Sequence, residues 1–382
     1  MHLEGILDMH GAFPVRACFL LVALGAALTA CGGEQKSVTD SAGSKTSGST
    51  SAPSSGVAGG ADLTGAGATF PYPLYSKWFA DYAAKTGVKI NYQSIGSGGG
   101  IRQLTEGTVD FGASDAPMSD AELAKLKGPV LHIPTVLGAV VITYNLPELA
   151  ARPLQLTGDV VAAIFQGKIT KWNDGRIAAL NRGARLPATD IAVVHRSDGS
   201  GTTYIFSDYL AAVSPEWAKA PGKGKELQWP VGLGGKGNEG VAGQVKQTPG
   251  AIGYVELAYA KQNKLSYAAL RNAAGVFVLP SVDAVTAAAA ASAEKFPPTT
   301  DYRVSIVNAP GTQSYPISSF TFLLVPRTMG DPVKGKKLVD FVRWALTDGE
   351  RTAAPLDYAP LPENLAKQLQ AKLDSVAIGR GA

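Results

Sequence analysis

The 382-residue chain has only two cysteines, Cys18 and Cys31, and both fall within its first 31 positions. The rest of the protein therefore holds neither a disulfide framework nor a thiolate metal site. Histidine is nearly as scarce. His2 and His10 share that leader, which leaves His132 and His195 for the folded part and excludes a metal centre built on several imidazoles. Charged residues make up 17% of the chain, against about 25% in an ordinary soluble domain. The formal charge of +4 is spread out without a block of Lys or Arg, so the concentrated basic field that a nucleic-acid partner requires is missing. The 44 glycines and 24 prolines stay below the roughly 25–30% share that marks a disordered chain. What remains is a length suited, at about 150 residues per domain, to two or three domains or two lobes with real cores.

Ala17 to Leu28 is an apolar run of twelve residues behind Arg16, followed by Thr29-Ala30-Cys31-Gly32. A mature membrane span needs about 20 apolar residues, so the run reads as a signal-peptide core and the protein as exported. Glu4 and Asp8 are out of place in a basic leader, which makes Met9 an alternative start to Met1. Leu28-Thr29-Ala30-Cys31 resembles a bacterial lipobox, whose cysteine is acylated and becomes the mature N-terminus; an ordinary signal peptide with an incidental cysteine is the alternative. Acyl chains contribute about 0.8 kcal/mol per buried CH₂, enough when several are present to hold Cys31 at the outer face of a membrane. Loss of residues 1–30 removes Glu4, Asp8 and Arg16 and leaves the mature chain at +5. Residues 32–61 hold seven Gly, eight Ser, three Thr and four Ala, 22 of 30 positions. That composition is a flexible tether, spanning about 30 Å as a Gly/Ser coil.

Beyond residue 61 the pattern alternates. Val88–Tyr92, Val140–Tyr144, Ile191–Val194 and Phe320–Val325 read as strands. Helical patterns run over Leu74–Ala84, Asp159–Gln166, Thr202–Ala212, Glu239–Gln247, Val282–Ala293 and Val333–Leu346. This alternation predicts an α/β fold with largely parallel sheets covered on both faces. The alanine run 287–291 reads as part of a surface helix.

Four small-residue turns stand out: Gly65-Ala66-Gly67-Ala68-Thr69-Phe70-Pro71, Ile95-Gly96-Ser97-Gly98-Gly99-Gly100, Phe111-Gly112-Ala113-Ser114-Asp115-Ala116-Pro117 and Arg196-Ser197-Asp198-Gly199-Ser200-Gly201-Thr202. Open α/β sheets bind ligands where such turns lead from strands into helices. Small residues let backbone N–H groups approach a guest, and three of these turns directly precede a helical pattern. That is oxyanion chemistry, with unpaired N–H groups at a helix start aimed at negative charge. Each turn alone is also an ordinary N-cap or loop. Arg196 supplies a planar fork for phosphate or carboxylate, or else a surface ion pair. Asp115 accepts a hydrogen bond only from a guest that still carries a proton, which phosphate has near neutral pH and sulfate lacks. Asp198 is placed to hold the Arg196 guanidinium.

Other motifs point elsewhere only weakly. Gly235-Lys236-Gly237-Asn238-Glu239-Gly240 matches G-x-G-x-x-G but follows a Gly/Pro-rich stretch, so it reads as a loop entering a helix. No phosphate-binding G-x-x-x-x-G-K-[ST] occurs, Ser97 and Ser200 lack the glycine of G-x-S-x-G, and His195 reads as a strand-end residue. No cofactor is called for.

Taken in order, the four turns resemble the phosphate-binding proteins of high-affinity phosphate ABC importers. The likeness runs from about Leu63 to Leu373 and includes Trp229-Pro-Val-Gly-Leu-Gly-Gly-Lys-Gly-Asn238 and Pro249-Gly-Ala-Ile-Gly-Tyr-Val-Glu256. It implies a two-lobe, type II-like periplasmic-binding-protein fold, with residues 62–140 plus 312–382 as lobe I and 141–311 as lobe II. Hinge crossovers are expected near Gly138–Thr143 and Ala309–Ser314. It further implies phosphate contacts from Ala68, Thr69, Phe70, Ser97 and Asp115 on one lobe and from Arg196, Ser200, Gly201 and Thr202 on the other. Phe70 would act through its backbone N–H. Ser197, where some relatives carry Ala, is a departure outside the contact set. The implied partners are inorganic phosphate and membrane permease subunits with their ATPase, and no catalysis is implied. An exported phosphatase built on the same cradle, or a binder of sulfate or molybdate, are the competing readings.

Overall fold

The computed structural model describes residues 63–149, 152–297 and 300–379. The segments read from the sequence as signal peptide and tether, and Cys31 between them, lie outside the described residues. One continuous sheet runs through the described chain, in the order Ile90–Ser94, Leu63–Gly67, Phe111–Ser114, Ser318–Pro326, Val130–Tyr144, Ala251–Glu256, Ala192–Arg196 and Leu233–Gly235. Ser266–Tyr267 pairs with the far end of Val130–Tyr144.

Val130–Tyr144 is 15 residues long and buried at every position after Val130. Its near-continuous apolar sequence is that of a strand covered on both faces. As far as Ala139, opposite Ser318, it pairs antiparallel with Ser318–Pro326. From Val140, opposite Glu256, it pairs instead with Ala251–Glu256. One strand thus belongs to two half-sheets. Pro134 has no N–H for the ladder, and the register slips beside it, between Thr321 and Phe322.

The sheet is mixed rather than largely parallel, which corrects the sequence expectation. Outer pairs such as Leu63–Gly67 with Ile90–Ser94 and Ala192–Arg196 with Leu233–Gly235 are parallel. The central pairs are antiparallel. The reason is topological: two segments that carry the chain out of one half and back again must run in opposite directions. Two further strands, Leu63–Gly67 and Phe111–Ser114, lie in what reads by composition as turns. Their small residues serve packing, because the helix Ser97–Glu106 lies so close that a Cβ on Gly100 would sit 2.4 Å from the Gly67 Cα. Leu233–Gly235, read as loop, is a short strand at the sheet edge. The alanine-rich helix Val282–Ala290 is amphipathic, burying Ala284, Val285, Ala288 and Ala289.

Each half has its own aromatic core. In the first, Tyr75 stacks on Trp78 at 5.4 Å, and Phe79, Tyr82, Tyr92, Phe111 and Phe341 pack around them. In the second, Phe206 stacks on Tyr254 at 4.2 Å against Phe165, Trp217 and Trp229. Trp78 on the helix Tyr72–Thr86 is fully buried and donates its Nε1–H to the Gly349 carbonyl at 2.8 Å, tying the first helix to the C-terminal region. Among the described residues no helix is long and apolar enough to cross a membrane. Trp78→Phe keeps most of the packing and leaves the Gly349 carbonyl without this donor. A loss of about 1–3 kcal/mol in urea unfolding is expected, and an unchanged midpoint would show that the hydrogen bond contributes nothing net.

Candidate functional site

The four turns converge where the two halves of the sheet face one another. Thr69 and Phe70 follow the strand Leu63–Gly67, Ser97 opens the helix Ser97–Glu106, and Asp115 follows Phe111–Ser114. Arg196 ends its strand on the other half, and Gly201 and Thr202 open the helix Gly201–Val213. All of them are buried, with Thr69 and Asp115 only 2% and 1% exposed.

The segment 68–70 is a bare strip of donors. Its three carbonyls are each taken by a tyrosine hydroxyl: Tyr92 donates to Ala68 O at 2.8 Å, Tyr259 to Thr69 O at 2.6 Å and Tyr358 to Phe70 O at 2.7 Å. The Thr69 and Phe70 N–H groups donate to no protein acceptor among the described residues. Ala68 differs from its neighbours, because its N–H is spent on Ala113 O at 2.9 Å. It positions the strip and offers no donor of its own.

Across the cleft the helix Gly201–Val213 supplies the matching ends. Its first N–H groups have no intrahelical partner, and Ser200 caps it by accepting from Thr203 N at 3.0 Å, which leaves the Ser200 hydroxyl proton to donate. The Ser200 N–H is engaged with Lys225 O at 2.9 Å. Arg196 carries five N–H groups. Nε and one Nη2–H go to Asp198 at 2.7 and 2.5 Å, and one Nη1–H reaches Thr202 Oγ1 at 3.3 Å. One N–H on each terminal nitrogen is left, a fork with the geometry for two oxygens of one anion. Asp198 holds Arg196 as its position suggests. Burial pushes its carboxyl up, but Arg196 and the Gly237 N–H, 3.0 Å away, outweigh that and leave it below the usual range. Tyr254, from the second aromatic core, receives the Arg196 backbone N–H at 3.1 Å and so links that core to the site.

Asp115 is the acidic group that faces Gly201 and Arg196 from the opposite wall. Thr321 donates to its Oδ1 at 2.8 Å, and its own backbone N–H donates to Ser97 Oγ at 3.2 Å. Burial pushes its carboxyl up to about 7, against the pull of Thr321, Arg196 and Ser97. Gly201 faces it so closely that a Cβ there would lie 2.5 Å from both Asp115 Oδ2 and Ser97 Oγ. Only a glycine lets the second helix start approach the first wall this far. The halves also meet directly, Gly98 N–H donating to Gly199 O at 2.8 Å and Lys225 pairing with Glu122 at 2.6 Å.

Every residue singled out from the sequence for the folded part lies in this region; Cys31 lies outside the described residues. The sequence reading left out Asn238, Thr321 and the tyrosines 92, 259 and 358. Asn238 sits at the start of the helix Gly237–Gln247, in the same glycine-plus-polar pattern as the four chosen turns, and that signal was available. Thr321 and Tyr92 are ordinary strand residues, Tyr259 is a helix residue and Tyr358 a loop residue, and what distinguishes them is their tertiary neighbour.

A family model described as a PBP superfamily domain matches residues 40–348. A protein of Xylella fastidiosa strain Temecula1 named phosphate-binding protein PstS is 48% identical over 356 residues, covering 93% of this chain and 97% of that one. Its namesake from Pasteurella multocida strain Pm70 is 49% identical over 310 residues, 81% and 89% of the two chains. Among solved structures, a high-affinity periplasmic phosphate-binding protein bound with phosphate superposes with a TM-score of 0.66 at 23% identity, covering 84% of this chain and 96% of that one. The phosphate-binding protein from Stenotrophomonas maltophilia gives 0.67 at 20% identity, covering 84% and 99%. These two likenesses speak for the fold, a two-lobe periplasmic-binding architecture. On the family match and on relatives of this identity and coverage, the chain belongs to the PBP superfamily and, within it, to the Pst-type phosphate-binding proteins.

Proposed function

We propose that the chain is an extracytoplasmic solute-binding protein that captures one inorganic phosphate ion between its lobes and passes it to the permease of an ABC importer. The observation that carries this reading is the convergence, from both halves of the sheet, of unpaired donors around one buried carboxylate. Thr69 and Phe70 N–H, the Ser97 hydroxyl, the Arg196 fork, the Ser200 hydroxyl and the Gly201 and Thr202 helix start donate to phosphate oxygens. Asp115 accepts a hydrogen bond from a protonated oxygen of phosphate, which keeps at least one proton near neutral pH. Sulfate and molybdate have no such proton, so the ionised Asp115 carboxylate repels them. The ion is bound and released unchanged, and the protein is a carrier rather than a catalyst.

Lobe I is residues 62–140 with 312–382, and lobe II is 141–311. The chain crosses in the long strand near Gly138–Thr143 and again near Ala309–Ser314. Supporting this, the strand changes partners between Ala139 and Val140, and Tyr315, just past the second crossing, donates to the Val140 carbonyl at 3.1 Å. Two adjacent crossings form a hinge about which the lobes rock, and phosphate selects the state in which donors of both lobes reach it. The permease reads closure, and its ATPase drives release. Acylation of Cys31 anchors the protein at the outer face of the cytoplasmic membrane, with residues 32–61 as the tether.

Calorimetric titration of residues 62–382, freed of bound ion by partial unfolding, is expected to show one-to-one phosphate binding with sulfate silent at neutral pH; equal binding of sulfate would overturn the ligand assignment. Asp115→Asn should narrow the phosphate-over-sulfate preference by about 1.5–3 kcal/mol, the worth of a hydrogen bond to a charged group. Arg196→Ala should weaken both anions by about 2–5 kcal/mol, and normal phosphate affinity in that variant would remove Arg196 from the site. Asp115 also sets a pH dependence. Its carboxyl ionises at 3.8 in the unfolded chain and at about 7 in the folded, ion-free one. Its contribution to stability is therefore full below pH 4 and lost as pH rises through 7. The stability of Asp115→Asn relative to the parent should rise between pH 4 and pH 8 in urea unfolding, and a constant difference would contradict the raised carboxyl.

A further inference from the structure

A threonine hydroxyl has one proton to donate and two lone pairs that accept. An oxyanion has use only for the proton. Left alone, such a hydroxyl spends part of its time turned the wrong way, presenting oxygen to oxygen. In this site the choice is made by Asn238, which is fully buried beside Thr69 and Thr202. Its Nδ2 donates to Thr69 Oγ1 at 2.8 Å and to Thr202 Oγ1 at 3.0 Å, one hydrogen for each. The Asn238 backbone N–H adds a second donor to Thr69 Oγ1 at 3.2 Å, and Arg196 Nη1 adds a second to Thr202 Oγ1 at 3.3 Å. Both lone pairs on both hydroxyls are filled. Neither hydroxyl proton goes to a protein acceptor among the described residues.

The orientation of the amide is itself determined. Its Oδ1 accepts the Glu256 N–H at 2.9 Å, so a flipped amide would set N–H against N–H. The backbone is registered too. Gly237, at φ +71, brings its N–H to Asp198 Oδ1 at 3.0 Å, the same oxygen that receives Arg196 Nε at 2.7 Å. One carboxylate therefore sets the Arg196 fork and the start of the helix carrying Asn238. A buried amide satisfied by its neighbours is common in cores. What distinguishes this one is that both side-chain hydrogens go to hydroxyls already in the binding site.

We infer that Asn238 is a positioning residue that turns Thr69 and Thr202 into obligate donors toward the bound oxyanion. Thr69 belongs to the first half of the sheet, whereas Asn238 lies on a helix packed against the second. The Thr69 hydroxyl is therefore committed only when the halves are together. The closed form thus has better donors as well as more of them, which gives an anion a differential affinity for it.

This inference rests on the phosphate reading, and its test begins with phosphate binding by the parent mature protein. No binding there overturns that reading and this one with it. With binding established, phosphate titrations of Asn238→Ala alone and combined with Thr69→Val or Thr202→Val form two double-mutant cycles. Asn238→Ala should weaken phosphate about ten- to a hundredfold, the worth of one or two hydrogen bonds. In each valine background that loss should shrink at least threefold, because the hydroxyl on which Asn238 acts is gone. The same loss in all backgrounds would make Asn238 a merely structural residue and overturn the inference. Asn238→Asp has the parent shape, keeps the acceptor for Glu256 N–H and reverses the polarity toward both hydroxyls, so it serves if the alanine variant does not fold. Its phosphate affinity should fall by more than a hundredfold, and binding within threefold of the parent would overturn the inference.

Discussion

The binding cleft depends on the strand Val130–Tyr144 being paired on two sides at once. Up to Ala139 its ladder belongs to Ser318–Pro326, and from Val140 to Ala251–Glu256. Each of those partners places one wall of the site. Thr321, on the first, holds the Asp115 carboxylate. Glu256, on the second, fixes the Asn238 amide, and through it the two threonine hydroxyls. A strand packed on both faces cannot slip by one residue without setting side chains of the wrong size into every place of a close-packed core. The relative position of the two walls is therefore set by a register that the core enforces, and the crossing proposed as a hinge lies within a strand buried at every position after Val130.

Given that frame, the site works with dipoles more than with net charge. Arg196 is already paired with Asp198, and Asp115 adds a second carboxylate whose burial holds its protonation near neutrality. At the centre of the proposed site the charges of Arg196 and Asp198 thus offset one another. Attraction comes instead from oriented N–H groups, and these point usefully only because their own carbonyls are occupied. Three successive carbonyls tied by Tyr92, Tyr259 and Tyr358 leave the backbone of 68–70 with donors and no free acceptors. Such an arrangement lies mostly out of water, where each dipole counts for more and each unpaired group costs more. In the proposed reading, selectivity rests on the Asp115 carboxylate, which as an acceptor favours a guest that brings its own proton.

The close meeting of the halves has a matching steric basis. A side chain at Gly201 would collide with Asp115 and Ser97, and one at Gly98 would press on Gly199 at 3.1 Å. Glycine is found there because of the space between two distant segments, which links the chemistry of the small-residue turns to the geometry of closure. The Lys225–Glu122 pair lies nearer the surface, 18% and 23% exposed at the side chains, and contributes to closure in a way that salt weakens.

Much of this was legible in the linear chain, and the parts that were not have a common cause. Scarcity of cysteine and histidine excluded a disulfide framework and thiolate or multi-histidine metal centres by counting, and four glycine- and hydroxyl-rich turns, three of them directly before a helical pattern, pointed to an oxyanion. Asp115 and Arg196 were recognisable as the acceptor and the fork within them. These features are local: an N–H at a helix start, a proton acceptor and a guanidinium have the same chemistry wherever the fold carries them. Tertiary structure alone decided that the central strand pairs are antiparallel, that Ala68 has no donor to spare, and that Thr321, Asn238 and three tyrosines surround the proposed cradle. A threonine or an asparagine has no direction until a neighbour distant in sequence fills its lone pairs or takes its hydrogens. The sequence by itself thus determined which groups can bind an oxyanion, and the packing of two half-sheets on one strand decided which way those groups face.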